Sequence, residues 1–515
     1  MRFSVAGPTR SCTVNLEAMQ IIMSYLPRVD LLSASYASRA VREMAIRELL
    51  SRPLVFEEVR PFQSWCEFVL AERSRLACVR DLSLLFEQED WEEPELERWE
   101  EGFEAYEDEI ILTHEELRRK RGKLLLEVLR RATRLQRLFI VWVQDILYAN
   151  PAVPLVISYL PALKSFEVEP YSVAAQYSVT AILARMESRL KFLSLQYVTY
   201  DGHAEGSEGV WDYDLPRALG LHLQHLEELH LGSPYGRTPE IRSTTLRTLK
   251  IPMGEEEPRP RELFEAFPNL RNLLLFYDQT SNDPFLPIRV DRYPVLRDSR
   301  ISEQSGGHVW SSLDTVRGEI MRLYVFGLTC PVRRLEMQEY QESKHDAAVK
   351  LVRYASPQKL FISTGLLGTE CFKAMAGKPS LLAAASPGRP HVTHLIITIS
   401  CPVQTTLLDD LSPLLQNSNI EYLRLAMGGP DIHEDYFESN AVINAWPGVR
   451  ECTLNLDLNL LRDTLVGTVK SLRMLAFTIV NHAETVWTVD RSGGSPMIAK
   501  VDAITPRDLI RREEA

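Results

Sequence analysis

The 515 residues include 45% hydrophobic and 25% charged residues, a globular composition long enough for several compact domains or one elongated repeat array. The net charge of −12 argues against a general nucleic-acid binder, which needs a basic face to displace phosphate counterions, but leaves room for a local basic patch. Cys12, Cys66, Cys78, Cys330, Cys371, Cys401 and Cys452 form no C-x-x-C pair, so neither a zinc ribbon nor a redox motif is expected, and an odd, unpatterned set suits a reducing compartment.

Residues 1–13 read as a flexible start with no apolar run long enough for a signal peptide, and nothing later approaches the roughly 18 apolar residues of a membrane span. A cytoplasmic or nuclear protein is expected. Residues 14–52 hold three short helical patterns. The first puts Leu16, Met19, Ile22 and Leu26 on one stripe and is stopped by Pro27. Asp30 is placed to cap a second helix carrying Leu31, Leu32, Ala34 and Ala37. The third places Val41, Met44, Ala45 and Leu49 on one face before Pro53. A unit this small needs a neighbour to be stable, so the pattern by itself fits a helical cap on a larger domain.

Val14-Asn15-Leu16-Glu17, Ser24-Tyr25-Leu26-Pro27, Asp30-Leu31-Leu32 and Ala37-Ser38-Arg39 stand in an order that resembles an F-box. The chain has Asn15 where that family has proline and Val41 where it has an aromatic. The resemblance implies docking to the S-phase kinase-associated adaptor of a cullin–RING ubiquitin ligase. It implies that Val14, Leu16, Ile22, Leu26, Pro27, Leu31 and Leu32 supply much of the adaptor-facing surface.

Residues 53–78 read as a connector. Residues 87–109 are strongly acidic, with Trp91, Leu96, Trp99, Phe103 and Tyr106 interleaved. This stretch reads as a solvated insertion, or as a segment that folds on a basic partner.

From 79 to 490 an L-x-x-L-x-L unit recurs twelve times, beginning at Val79, Leu135, Leu163, Leu190, Leu226, Leu246, Leu270, Val332, Val392, Ile420, Val449 and Leu472. A weaker copy lies at Gln358 to Ile362. Most neighbouring copies begin roughly 20 to 36 residues apart, against about 20–29 for leucine-rich repeats. Helical stretches such as 181–186 and 408–415 lie between them. In a strand, alternate side chains share a face, so positions four and six of each unit point into a core and positions three, five and seven point away. One strand and helix bury too little alone, and stacking neighbours buries a continuous core. The pattern resembles irregular leucine-rich repeats. The fold class expected is therefore α/β: a short three-helix unit followed by a curved solenoid with a mostly parallel sheet. Broken spacing from Leu270 to Val332 and from Val332 to Val392 implies insertions or degenerate repeats there. Residues 491–515 read as a tail in which Thr505-Pro506 starts one last short helix.

His222, His225 and His230 have a spacing that invites a metal, but a site needs a bend and a fourth ligand, and ordinary loop and wall histidines are the expected reading. Gly377-Lys378-Pro379 lacks the upstream glycine and the hydroxyl residue of a phosphate loop, and no G-x-S-x-G is present. No enzyme, cofactor or metal is expected. The outward positions give a wall of Arg137, Phe139 and Val141, then Glu228 and His230, Asn272, Leu274 and Phe276, Arg334 and Glu336, and Tyr422 and Arg424. Phe139, Val141, His230, Leu274, Phe276, Tyr422 and Arg424 are the expected target-binding residues, with the main surface from Phe139 to Phe276. The reading that results is a substrate adaptor of an SCF-type ligase; the alternative is a repeat scaffold independent of any ligase.

Overall fold

The computed structural model describes residues 16–86, 107–141, 150–169, 173–196, 215, 217–232, 241–253, 259–277, 292–364, 381–382, 391–399, 407, 411, 414–415, 418–427, 456–479, 483–493, 495–501 and 506–514. Val14, most of the acidic stretch, Gly377 to Pro379, the motif copy at Val449 and most of 408–415 lie outside these residues.

Three helices open the chain: α1 (Leu16–Tyr25), α2 (Arg28–Ala34) and α3 (Arg39–Ser51). Pro27 separates the first two, and the Ser38 hydroxyl accepts the Val41 N–H to cap α3. Asp30, expected as a cap, instead lies in the first turn of α2, where its charge faces the helix dipole. Met23, Leu31 and Ala45 form the buried centre, with Met19, Leu26, Ala34, Val41 and Leu49 packed on it. The buried stripe of α1 thus runs through Met23, not through Ile22.

Between this unit and the first motif copy stand β1 (Leu54–Phe56) and a helix at Val59–Leu70, in the region read as a connector. Three residues are too few to show a period of two, which is why β1 was illegible. Phe56, Phe62, Trp65 and Phe86 pack as an aromatic cluster, with ring centroids 5.1 to 6.0 Å apart. Burial, with Glu67 adding to it, pushes the nearby Cys66 thiol up to about 12.

The chain divides into two compact units, Met1–Tyr200 with Glu205–His225, and Leu226–Ala515 with Asp201–Ala204. In the first, β1, β2 (Asp81–Leu84), β3 (Arg137–Val141), β4 (Ser165–Glu169) and β5 (Phe192–Leu195) pair in sequence order, all parallel. The helix Glu107–Arg131 precedes β3, and Ala152–Ser158 and Val173–Arg185 flank β4. Leu125, Val128, Leu129, Val153 and Ile157 bury their side chains together with the strand leucines as core.

In the second unit β6 (Glu228–Leu231), β7 (Thr248–Met253), β8 (Asn272–Tyr277), β9 (Leu313–Glu319), β10 (Val332–Gln338), β11 (Lys359–Ser363), β12 (His394–Ile399), β13 (Tyr422–Met427) and β14 (Met474–Ile479) likewise pair in sequence order. These pairs are parallel. Two antiparallel strands, β15 (Ala483–Asp490) and β16 (Met497–Lys500), follow β14, and a helix at Pro506–Glu514 ends the described chain. The tail of the sequence reading therefore carries a strand as well as the expected helix.

Every described motif copy is a strand with its fourth and sixth residues buried, as at Leu138 and Ile140, Leu229 and Leu231, and Leu335 and Met337. The weak copy is β11. The gap from Leu270 to Val332 is filled by a helix at Tyr293–Gln304 and by β9, whose sixth position is Gly318 instead of a leucine. That glycine marks a close approach. A Cβ there would lie 2.5 Å from the Leu275 carbonyl oxygen, 3.2 Å from Leu275 Cβ and 3.3 Å from Leu323 Cδ2. Two of these three obstacles are a backbone oxygen and the first carbon of a packed side chain, and neither yields easily.

Gly318→Ala is expected to destabilise the second unit by about 1–3 kcal/mol through overpacking and loss of β8–β9 register. Denaturant unfolding with unchanged stability would show that the sheet absorbs the methyl group.

Candidate functional site

Two surfaces carry chemistry beyond core packing. The first is on α1 and α2. Ile22 and Leu32 are 54% and 52% exposed, and Pro27 is exposed too. Leu31 is 0% exposed at the centre of the cluster, and Leu26 packs half-buried against it. Leu31 closes the helical unit and is not at its surface, a correction to its expected place in the adaptor-facing set: a seven-residue helix has one buried stripe, and Leu31 is on it. Also exposed on these helices and the turn after them are Ile21, Tyr25, Val29 and Tyr36, by 61%, 84%, 71% and 89%. Their signal in the sequence was a surplus of large apolar residues over what one buried stripe uses. Six such side chains within sixteen positions form an exposed apolar surface of the kind that marks interaction sites.

The second surface is the outward wall of the second unit. Parallel, in-register pairing sets equivalent positions side by side. One row runs Thr315, Arg334, Lys359, His394, Tyr422 and Met474 across β9 to β14. The adjacent row runs Arg317, Glu336, Phe361, Ile396, Arg424 and Ala476. Arg334 is hydrogen-bonded to Glu336 and its guanidinium lies 4.0 Å from the Phe361 ring centroid.

The helix Pro506–Glu514 lies on this wall. Pro506 occupies its first position, Asp508 its first turn and Arg511 and Arg512 its last, an arrangement that suits proline and the helix dipole. Ile510 is buried against Ala476 and Val486, with Met474 and Val501 alongside. Ala476 and Val486 are cross-strand partners, and the small Ala476 leaves the space that Ile510 fills. Beyond that anchor, Arg424 Nη1 donates to both Glu514 carboxylate oxygens at 2.8 and 2.9 Å, and the Tyr422 hydroxyl donates to Oε1 at 3.1 Å. His394 Nε2 lies 3.2 Å from Glu513 Oε2. Lys359 Nζ donates to the Glu513 carbonyl at 2.6 Å, and Arg334 Nη1 to that of Glu514 at 3.1 Å. Arg424 Nε is held by Thr478 Oγ1 at 3.0 Å, which fixes the guanidinium plane.

Tyr422, expected on an open wall, is thus buried beneath this helix, and Arg424 is half-covered. Burial, with Glu514 beside it, pushes the Tyr422 phenol up. Burial and the neighbouring Arg333 and Arg334 pull the Lys359 ammonium down, against the opposing pull of Glu513 and Glu514. Lys359, His394 and the occupying glutamates were missed by sequence reasoning. Positions three and five of β11 and β12 were available to it, but no local pattern announces that a segment over eighty residues away returns to them.

The remaining expected residues are dispersed. Phe139 and Val141 belong to the first unit and are half-buried; Phe139 has Ser83 and Glu167 as its strand partners. Arg137 nearby donates to Glu167 at 2.9 Å. Leu274 and Phe276 belong to the second unit and are half-buried. Leu274 lies between Lys250 and Arg317, and Lys250 Nζ is 5.5 Å from the Phe276 ring. Phe139 and Leu274 thus have polar or charged strand partners, whereas Phe276 pairs with Pro252. His230 Nε2 is 2.8 Å from Glu228 Oε1 in the same row system.

His222 is buried in the first unit, its Nε2 3.0 Å from the Leu183 carbonyl oxygen. Among the described residues no group of three or more His, Cys, Asp or Glu side chains is placed to hold a metal ion.

No family profile matches the chain, and no curated protein does. Among solved structures it is similar to a chain of the Rad7 and Elc1 complex in yeast, at 13% identity and a TM-score of 0.36, over 80% of this chain and 88% of that one. A likeness this loose carries no argument about function.

Burial holds the His222 imidazole below its ordinary 6.5; the Leu183 carbonyl opposes this and His225 adds to it. The unfolded imidazole therefore takes up its proton first as pH falls. The stability contributed by the neutral ring is complete above about 6.5 and is lost as pH drops through the lower folded value. His222→Gln is expected to flatten the fall in melting temperature between neutral and mildly acid pH. An unchanged slope would show that the ring does not titrate within the folded range.

Proposed function

We propose that this chain is a substrate-recognition adaptor of a cullin–RING ubiquitin ligase, with no catalytic role of its own. The observation that carries the reading is the exposed apolar side chains of α1, α2 and the turn after them, Ile21, Ile22, Tyr25, Val29, Leu32 and Tyr36, around a helical unit whose core is already closed by Met23, Leu31 and Ala45. A helical cap that served only the repeats would have no use for a second apolar surface, since exposed apolar area of this kind is matched by a partner. The F-box resemblance of the same residues supplies the partner, the S-phase kinase-associated adaptor. The parallel repeats supply a stack of strands whose outward rows vary freely while the leucine rows hold the core, which is what a receptor for another protein needs.

In this reading the chain forms and breaks no covalent bond. It raises the local concentration of a target lysine near the charged ubiquitin-conjugating enzyme. Cytoplasm or nucleus is the compartment in which that partner set operates; among the described residues no helix is long and apolar enough to cross a membrane.

The purified chain is expected to co-precipitate the S-phase kinase-associated adaptor and cullin from a native extract. Tyr25→Ala and Leu32→Ala should each weaken adaptor capture by about tenfold, roughly 1.4 kcal/mol, with melting temperature unchanged. Leu31→Asp should instead unfold the helical unit, a cost of several kcal/mol on the order of that for burying an unpaired charge. Full folding with no adaptor capture by the unaltered chain would leave a repeat scaffold that works without a ligase.

A further inference from the structure

The contacts between Pro506–Glu514 and the wall have the form of a ligand in a site. Arg424, Tyr422, His394, Lys359 and Arg334 come from β10 to β13, and parallel register alone brings them together. All five converge on two adjacent glutamates, through both carboxylates and both carbonyls. Arg424 reaches both oxygens of Glu514 and is oriented from behind by Thr478.

The wall is complete without its occupant. The β10 to β14 ladder bonds strand to strand, and the leucine core lies on the opposite side of the sheet. The helix rests on one apolar anchor, Ile510, plus its charged contacts. On departure it would uncover Arg424, Tyr422, His394, Lys359 and Arg334, the last still paired with Glu336, a net basic pocket in a chain whose net charge is −12. Polar pairs so placed add geometry and specificity more than net stability, because each charge gives up its water to enter.

We propose that this pocket is a recognition site for an acidic protein segment carrying adjacent glutamates on a helical turn, and that Pro506–Glu514 is its internal occupant, displaced when the partner's segment binds. The proposal stands on this geometry and is independent of whether α1 and α2 hold a ligase adaptor.

The test uses the full chain and a fluorescein-labelled peptide of residues 506–515. An opened variant, Ile510→Asp with Glu513→Lys and Glu514→Lys, removes the anchor and reverses the charges. It is expected to bind the peptide at least about tenfold more tightly than the unaltered chain does, and Arg424→Ala added to it should remove that gain. A peptide with both glutamates changed to glutamine should lose the binding. Hydrogen exchange on the unaltered chain gives an independent readout if the variant folds poorly: excess glutamate peptide should speed exchange across 506–514, and the glutamine peptide should not. Equal binding by opened and unaltered chains, equal binding of the two peptides, or no acceleration of exchange overturns the proposal. Competition by inorganic phosphate as effective as that of the peptide overturns it in favour of a general anion site. Concentration-dependent dimerisation that disappears in the opened variant overturns it in favour of exchange of this helix between copies.

Discussion

One backbone device recurs in both units, at nine of the strand steps: the carbonyl just before a strand accepts two successive N–H groups from the next repeat. Arg80 receives Gln136 and Arg137, Gln136 receives Lys164 and Ser165, and Lys164 receives Lys191 and Phe192. In the second unit Glu227, Arg247, Arg271, Gln358, Thr393 and Glu421 do the same for the repeats that follow them. The bond pair fixes where each strand begins relative to its neighbour. Once that is fixed, a slip of one residue would turn every leucine outward, so register and burial enforce each other. Loops and helices between the strands can then differ in length without disturbing the sheet, which is how spacings of unequal size coexist within each unit.

Register also creates the chemistry of the wall. No two of Arg334, Lys359, His394 and Tyr422 are close in sequence, yet they are consecutive in one row. The row concentrates donors, and a concentration of donors on a folded surface demands acceptors. Glu513 and Glu514 provide them from within the chain, while Ile510 supplies the apolar area that holds their helix in place. Where the rows are mixed, as around Phe139 and Leu274, an apolar residue stands between polar or charged strand partners.

The N-terminal helices meet a different constraint. With so few residues they close a core on one stripe only, through Met23, Leu31 and Ala45. Arg52 ties the unit together from outside that core, donating to the carbonyls of Met23 and Ser24 at 3.2 Å each. The surplus apolar residues are left on the surface.

The sequence by itself determined most of the parallel strands and which of their residues face the leucine core. An apolar residue at the fourth and sixth positions carries its own periodicity, so β2 to β8 and β10 to β14 were legible from local pattern, β11 as a weaker copy. Exceptions were local too: β1 is too short to show a period, and Gly318 removes the sixth-position signal of β9 because the Leu275 carbonyl leaves no room for a side chain. The tertiary structure alone decided which outward residues meet. It placed Leu31 inside and Tyr25 outside a helical stripe too short to be assigned by spacing, and it set Pro506–Glu514 over Tyr422 and Arg424. The physical reason is one of range. Burial alternation is written in neighbours two residues apart, whereas the return of a charged helix to a distant row depends on the summed register of every strand between, and no local stretch of sequence encodes that sum.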